Sequence, residues 1–184
     1  LANIFKDEDN YGRNDFGKKQ KLLIEFVSAN PTGPLSVAHA RQAAVGDALG
    51  NILSFLNFDV TKEFYVNDEG NQINILGRSL KARAKEILGS DEHFPEDGYK
   101  GRYIKLMAQD YLDDNKIDTL EKLERIDEAK FSEFGVEQLL DVIKQELDDF
   151  GVCFFQLPYR NSLCVLSVKF FRIVYHTPNH LSYY

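Results

Sequence analysis

The residues with the clearest chemical potential form one short run: the polar turn Asn30-Pro31-Thr32-Gly33-Pro34, then His39 five residues on. Two prolines and a glycine at that density cannot continue a strand, so the run is a turn. His39 falls in the first turn of a helix that begins near Ser36. A helix start leaves several backbone N–H groups without partners and carries partial positive charge. Strand, turn and helix start in that order make an anion site, and phosphate is the commonest biological anion. The chemistry expected of the run is therefore binding of a nucleotide's phosphates. A histidine that merely caps or packs at a helix start is the plain alternative.

The elements that place this run are legible on either side of it. Lys21 to Val27 is apolar and β-branched enough for a buried strand. Val45, Ala48, Leu49, Ile52, Leu53 and Leu56 recur at the spacing of one helical face, which predicts a helix over 36–57. Gly46 and Gly50 on that helix each lose about 1 kcal/mol against alanine, so a neighbour must approach closely there. Val60 to Val66 supplies a second strand after the short turn Asn57-Phe58-Asp59. Strand, helix and strand compose a right-handed βαβ unit with a parallel pair, and sheets of this kind bind ligands beyond the carboxyl ends of their strands. The predicted fold class is α/β.

Two blocks carry a family resemblance. The first is Glu25-Phe26-Val27-Ser28-Ala29-Asn30-Pro31-Thr32-Gly33-Pro34-Leu35, continuing through Val37, His39-Ala40-Arg41 and Val45-Gly46-Asp47-Ala48-Leu49. The second is Phe64-Tyr65-Val66-Asn67-Asp68-Glu69-Gly70-Asn71-Gln72-Ile73. On these blocks residues 21–151 resemble the front half of the catalytic domain of the arginyl-tRNA synthetases, a class I aminoacyl-tRNA synthetase family. The resemblance implies the N-terminal half of a class I synthetase Rossmann-like nucleotide-binding fold, with parallel strands and a mainly helical insertion. It also implies ATP-dependent activation of arginine to arginyl-adenylate and transfer of arginine to tRNA(Arg). ATP with Mg2+ is then a substrate, and no tightly bound cofactor is expected.

Position by position, the resemblance assigns Pro31, Thr32, Gly33, Ser36, Ala38 and His39 to ATP, with His39 and Ser36 as the catalytic pair. It assigns Glu25, Ser28 and Asn30 to arginine, and Asp68, Gly70 and Gln72 to the far rim of the same cleft. The chemistry agrees, since a carboxylate suits a guanidinium fork while a hydroxyl and an amide can hold an amino group. Ser28 and Asn30 are also ordinary turn formers, and Glu25 would serve as a surface charge on an edge strand. The family's His-x-Gly-His signature reads Ser36-Val37-Ala38-His39 in this chain. Ser36 can hydrogen-bond a phosphate oxygen but brings no positive charge, and Ala38 keeps the backbone farther from a nucleotide than glycine would. The lysine-rich second signature of class I enzymes, Lys-Met-Ser-Lys, does not occur, and the one methionine is Met107.

Beyond Gly70 the pattern is helical. Ile73, Leu76, Leu80, Ala84 and Ile87 mark one face of a helix ending near Leu88. A second helix is predicted over 101–114, with Tyr103, Met107 and Tyr111 on one side, and a third over 132–150, with Val136, Leu139, Leu140, Ile143 and Leu147 inward. The loop His93 to Tyr99 connects the first two. The expected organisation is a linker or domain join over 1–20, the first half of the Rossmann-like fold over 21–69, a helical insertion over 70–151 and a divergent tail over 152–184. By the resemblance, such an insertion lies near the acceptor end of the tRNA.

In the tail, Phe150-Gly151-Val152 and Ser162-Leu163 keep the family's register, while Phe155, Leu157 and Arg160 stand where it is rich in Asp, Trp and Glu. The run from Cys164 to Tyr175 reads as strand. Cys153, Cys164, His176 and His180 offer four ligands, but ten residues between the cysteines do not fit zinc spacing, so no metal site is expected.

At 184 residues the chain has room for one domain and a respectable core, but not for a whole synthetase, and it starts at Leu1. It is read as part of a longer protein. A net charge of −7 argues neither way cleanly: a dedicated nucleic-acid binder usually shows a basic face, and Lys18-Lys19, Lys21, Lys81, Arg83 and Lys85 are local basic groups. Two cysteines, no signal peptide and no apolar run of membrane length point to a cytoplasmic chain without a membrane partner, and a monomer is expected. The expected partners are arginine, ATP and, in the full-length parent, tRNA(Arg). The chain alone is expected to be inactive. The alternative function is a non-catalytic synthetase-derived module that binds nucleotide or RNA. A different nucleotidyl transferase on the same fold is opposed by Glu25, Ser28 and Asn30.

Overall fold

The computed structural model describes residues 2–154, 172–177 and 180–183. Its elements run α1 (Ala2–Asp7), a 3-10 turn (Glu8–Asn10), β1 (Lys21–Glu25), α2 (Val37–Phe55), β2 (Asp59–Glu63), α3 (Asn71–Ile87), α4 (Arg102–Asp114), α5 (Leu120–Glu124), α6 (Glu128–Asp149), β3 (Arg172–Thr177) and β4 (His180–Tyr183). The chain divides into two compact units. One comprises Leu1–Ala29, Ser36–Val66 and Leu147–Tyr184, and the other Asn30–Leu35 and Asn67–Glu146.

The first unit is built on a four-stranded sheet of order β2-β1-β3-β4. β1 and β2 are parallel, from Lys21 opposite Asp59 to Glu25 opposite Glu63, and α2 is the crossover between them. β3 adds antiparallel to β1, with Leu22 opposite Tyr175, and β4 pairs antiparallel with β3, so the sheet is mixed. Leu22 and Ile24, two residues apart on one face of β1, are fully buried, as the period of a strand requires. Phe26 and Phe64 extend that core beyond the strands, and Phe154 lays its ring against both, with centroids 4.6 and 5.8 Å away.

The helix α2 meets the sheet differently from its apolar pattern. Val45 and Ile52, predicted for the inner face, are exposed, and the buried positions are Ala43, Gly46 and Gly50. The reason is steric: the ring of Phe26 occupies the place a Cβ on Gly46 would need, and Lys62 Cε lies 2.6 Å from the place of one on Gly50. Small residues let the helix come close to the strands, which outweighs burial of the larger side chains. Lys62 then reaches back to Asp47 at 2.5 Å and Asn51 at 2.9 Å, fastening β2 to the helix.

The N-terminal twenty residues, expected as a linker or join, are tied to the turn between α2 and β2. Gly17 N–H donates to the Leu56 carbonyl at 2.7 Å, Lys19 N–H to Asn57 at 2.8 Å, and Gln20 accepts from Asp59 N–H at 2.9 Å. Phe16 sets its ring edge-on to Phe58, 6.2 Å between centroids.

The second unit has its own core, in which Leu76, Leu80 and Ala84 of α3, Ile104, Met107, Ala108 and Tyr111 of α4, Leu123 of α5 and Phe131 and Leu139 of α6 are buried together. Helix α6 begins at Glu128 rather than at the predicted residue 132, because Phe131 belongs to this core and draws the first turn inward. The short helix α5 is an addition that the apolar spacing does not mark. Its start is capped by Thr119, whose hydroxyl accepts from Lys122 N–H. At Gly77 the Ser132 hydroxyl fills the space of a side chain and donates to the Ile73 carbonyl at 3.1 Å, which locks α3 to α6.

Of the predicted strand run Cys164 to Tyr175, the part before residue 172 lies outside the described residues, as does Cys164. Cys153 is an exposed free thiol. Among the described residues no helix is long and apolar enough to cross a membrane, and no group of His, Cys, Asp and Glu side chains is gathered for a metal ion.

Candidate functional site

Glu25 ends β1, half-buried, and the chain leaves the sheet immediately after it. The exit is strained. Val27 has φ 67° and Ser28 φ 40°, both in the left-handed region that a β-branched residue strongly avoids. Each such residue costs roughly 1–3 kcal/mol and persists only where its surroundings fix it. Here Phe26 N–H is bonded to the Glu63 carbonyl at 3.2 Å, Ser28 N–H to the Phe26 carbonyl at 3.0 Å, and Val27 is buried. The kink turns Ser28 back over the strand end, where its hydroxyl donates to Glu25 Oε1 at 2.8 Å and accepts from Tyr65 N–H at 3.1 Å. One carboxylate oxygen of Glu25 is thus held in a fixed direction.

The turn 30–35 is part of the second unit, although it lies in sequence between β1 and α2. Asn30 donates from Nδ2 to Gln72 Oε1 at 2.6 Å, which leaves its amide oxygen as an acceptor. Pro31 is buried. The Tyr103 hydroxyl donates to the Thr32 carbonyl at 2.6 Å, and a Cβ on Gly33 would stand 3.1 Å from that same hydroxyl oxygen. Burial, with a smaller contribution from Tyr99, pushes the Tyr103 hydroxyl above its ordinary pKa, so it stays protonated and a donor. Leu35 N–H donates to Glu146 Oε2 at 2.9 Å. Of the predicted rim residues, Gly70 caps α3 with φ 97°, a conformation that favours glycine, and its carbonyl accepts from Ile73 and Asn74 N–H at 3.2 Å each. Asp68 is half-buried two residues before it, and Gln72 holds Asn30.

Ser36 and His39 lie at the start of α2 in the first unit. Ser36 is the N-cap, with extended backbone at φ −102° and ψ 168°. Its N–H donates to His39 Nδ1 at 3.1 Å, and its hydroxyl oxygen lies 3.2 Å from the same nitrogen. A ring nitrogen that accepts from a backbone N–H carries no hydrogen itself, so the neutral imidazole bears its proton on Nε2. Nε2–H is the group His39 can offer to an anion. Ala38 is exposed on the same turn.

The structure therefore joins Glu25 to Ser28, Ser36 to His39, and Asn30 to Gln72. Tyr65, Tyr103 and Glu146 are the partners that sequence reasoning did not assign to the site. Tyr103 and Glu146 lie 71 and 111 residues from the groups they bind, so no local spacing announces them.

Comparison with known proteins gives these groups a context. The family model described as tRNA synthetases class I (R), catalytic domain, matches residues 1–154, which includes the N-terminal segment. The arginine–tRNA ligase of Desulfosudis oleivorans is 44% identical over 157 residues, covering 85% of this chain and 28% of that protein. That of Shouchella clausii is 42% identical over 156 residues, with coverage of 84% and 28%. A crystal structure of a Campylobacter jejuni protein, assigned as an arginyl-tRNA synthetase, superposes with a TM-score of 0.69 at 32% identity, covering 83% of this chain and 33% of that one. The chain thus spans about 28% of the length of the two ligases. The α/β architecture with a parallel β1-α2-β2 crossover, the family model and the identities agree: this chain belongs to the class I tRNA synthetases of the arginine type, within their catalytic domain.

Proposed function

We propose that this chain supplies the arginine- and ATP-binding front of an arginine–tRNA ligase. The observation that supports the reading is the strained exit of β1, which brings the Ser28 hydroxyl onto Glu25 at the carboxyl end of a parallel strand. Strain of this kind collects where a chain must present side chains rather than pack them. We assign Glu25 to the guanidinium of arginine, Ser28 to orienting Glu25, and the free amide oxygen of Asn30 to the substrate ammonium. Pro31, Thr32 and Gly33 with Ser36, Ala38 and His39 receive ATP, and Asp68, Gly70 and Gln72 form the rim.

In the reaction the arginine carboxylate attacks the α-phosphate of Mg-ATP, arginyl-adenylate forms, and pyrophosphate leaves; a hydroxyl at the 3′ end of tRNA(Arg) then attacks the arginyl carbonyl, forming the ester as AMP leaves. The Nε2–H of His39 and the N–H groups at the start of α2 would hydrogen-bond phosphate oxygens as charge builds on them. The remaining contribution is positional, holding carboxylate and phosphate in line. A second reading, a non-catalytic module that binds nucleotide or RNA, is favoured by Ser36 and Ala38 in the signature.

The test is arginine-dependent ATP–pyrophosphate exchange with tRNA present, using this chain and a chimera in which residues 21–151 replace their counterparts in the Desulfosudis oleivorans ligase. We expect no exchange from the chain alone and exchange from the chimera. Exchange by the chain alone would overturn the view that it is one part of the machinery. A folded chimera that binds Mg-ATP without exchange would establish the non-catalytic reading instead.

A further inference from the structure

The turn 30–35 follows β1 in sequence, yet three side chains of the helical unit converge on it. Gln72 of α3 accepts from Asn30, Tyr103 of α4 donates to the Thr32 carbonyl at 2.6 Å, and Glu146 of α6 accepts from Leu35 N–H at 2.9 Å. The bonds fall on three residues of the six-residue segment 30–35. Two of them engage main-chain groups, which fixes the course of the turn and not merely its side chains. The glycine at 33 fits the same design, because the Tyr103 hydroxyl lies close to the space a side chain would take. Tyr103 approaches the turn from one side with its hydroxyl half-buried, and Glu146 anchors the end that runs into Ser36.

We propose that Tyr103 and Glu146 are positioning residues that hold the turn 30–35 in its ATP-receiving form, so that the helical insertion governs nucleotide affinity without touching the nucleotide. The proposal rests on the assignment of Pro31, Thr32 and Gly33 to ATP made above. It predicts a division between the two substrates: loosening residues 32–35 weakens the nucleotide, while Glu25 and Ser28, held by the β1 exit, and Asn30, held by Gln72 and not by Tyr103 or Glu146, keep arginine.

The experiment uses the full chain and three variants. Tyr103→Phe removes only the hydroxyl. Glu146→Leu removes the acceptor, and Glu146→Gln keeps one. Hydrogen–deuterium exchange of the Gly33 and Leu35 amides is read first, without ligand. Tyr103→Phe and Glu146→Leu should speed exchange there about tenfold, while Glu146→Gln stays near wild type. Titration calorimetry with Mg-ATP alone and with L-arginine alone follows. The first two variants should bind Mg-ATP about five- to tenfold more weakly, with arginine affinity within about twofold and Glu146→Gln close to wild type. Unchanged exchange at both amides, or equal losses for ATP and arginine, would overturn the proposal. If the wild-type chain binds no Mg-ATP while the exchange responds as expected, the ATP assignment fails and the positioning of the turn stands.

Discussion

At the scale of single residues, the signature Ser36-Val37-Ala38-His39 turns on how one imidazole is held. His39 keeps Nδ1 on the Ser36 backbone N–H at 3.1 Å, with the Ser36 hydroxyl oxygen 3.2 Å away, and presents Nε2–H, so the main chain of residue 36 can hold the ring whichever side chain stands there. A serine in this place therefore gives up a positive charge but not the alignment of His39. In the active chimera, His39→Ala should lower the exchange rate by about thirtyfold, or about 2 kcal/mol of transition-state stabilisation. Ser36→Ala should lower it less than about fivefold, because the Ser36 N–H still reaches Nδ1. Equal losses from the two changes would mean that the Ser36 hydroxyl, not its backbone, holds the ring or touches phosphate. Glu25 carries the same lesson: its direction comes from Ser28, three residues on, and only the strained kink at Val27 brings the two together.

At the scale of elements, α2 shows how packing distance overrides hydrophobicity. Its buried stripe is Ala43, Gly46 and Gly50, and the two glycines are not equivalent. At Gly46 the obstacle is the buried ring of Phe26, which has no room to retreat; at Gly50 it is the methylene stem of Lys62, a flexible chain. Gly46→Ala should destabilise the protein by about 1–3 kcal/mol in urea unfolding, since overpacking exceeds the gain of about 1 kcal/mol in helix propensity. Gly50→Ala should lie within about 1 kcal/mol of wild type, because Lys62 can shift and the propensity gain offsets the lost contact with Asp47. A stable Gly46→Ala protein would show that α2 is free to move away from β1.

At the scale of the whole molecule, the net charge of −7 leaves acidic groups in excess, and the helical unit uses some of them in ion pairs. Lys85 lies 2.7 Å from Glu124 and 2.8 Å from Glu92. The hydrogen bond from Lys85, aided by the charges of Lys85 and Lys81, holds the Glu124 carboxyl below its ordinary value of 4.5, and the same bonds hold Lys85 above 10.5. A carboxyl depressed by folding stabilises above its unfolded pKa and loses that contribution as pH falls through its folded pKa; the raised lysine loses its contribution only as pH rises beyond 10.5. Glu124→Gln should therefore lower the melting temperature slightly at neutral pH, and the difference should close as pH falls through the lowered carboxyl pKa. A gap that persists in acid would assign the loss to packing.

The sequence by itself determined the α/β class, the β1-α2-β2 crossover, the course of α3 and α4 and the family, because these depend on local periodicity and on contiguous motifs. It also placed the polar turn ahead of His39. It missed which face of α2 is buried, because apolar spacing does not reveal where backbones must touch, and it missed the early start of α6, because Phe131 acts through the core of α3 and α4. Only the tertiary structure decided that the turn 30–35 belongs with the helical unit, held by Gln72, Tyr103 and Glu146. Those bonds join residues far apart in the chain, and such pairings are set by chain topology and side-chain geometry, which leave no periodic trace in a single sequence.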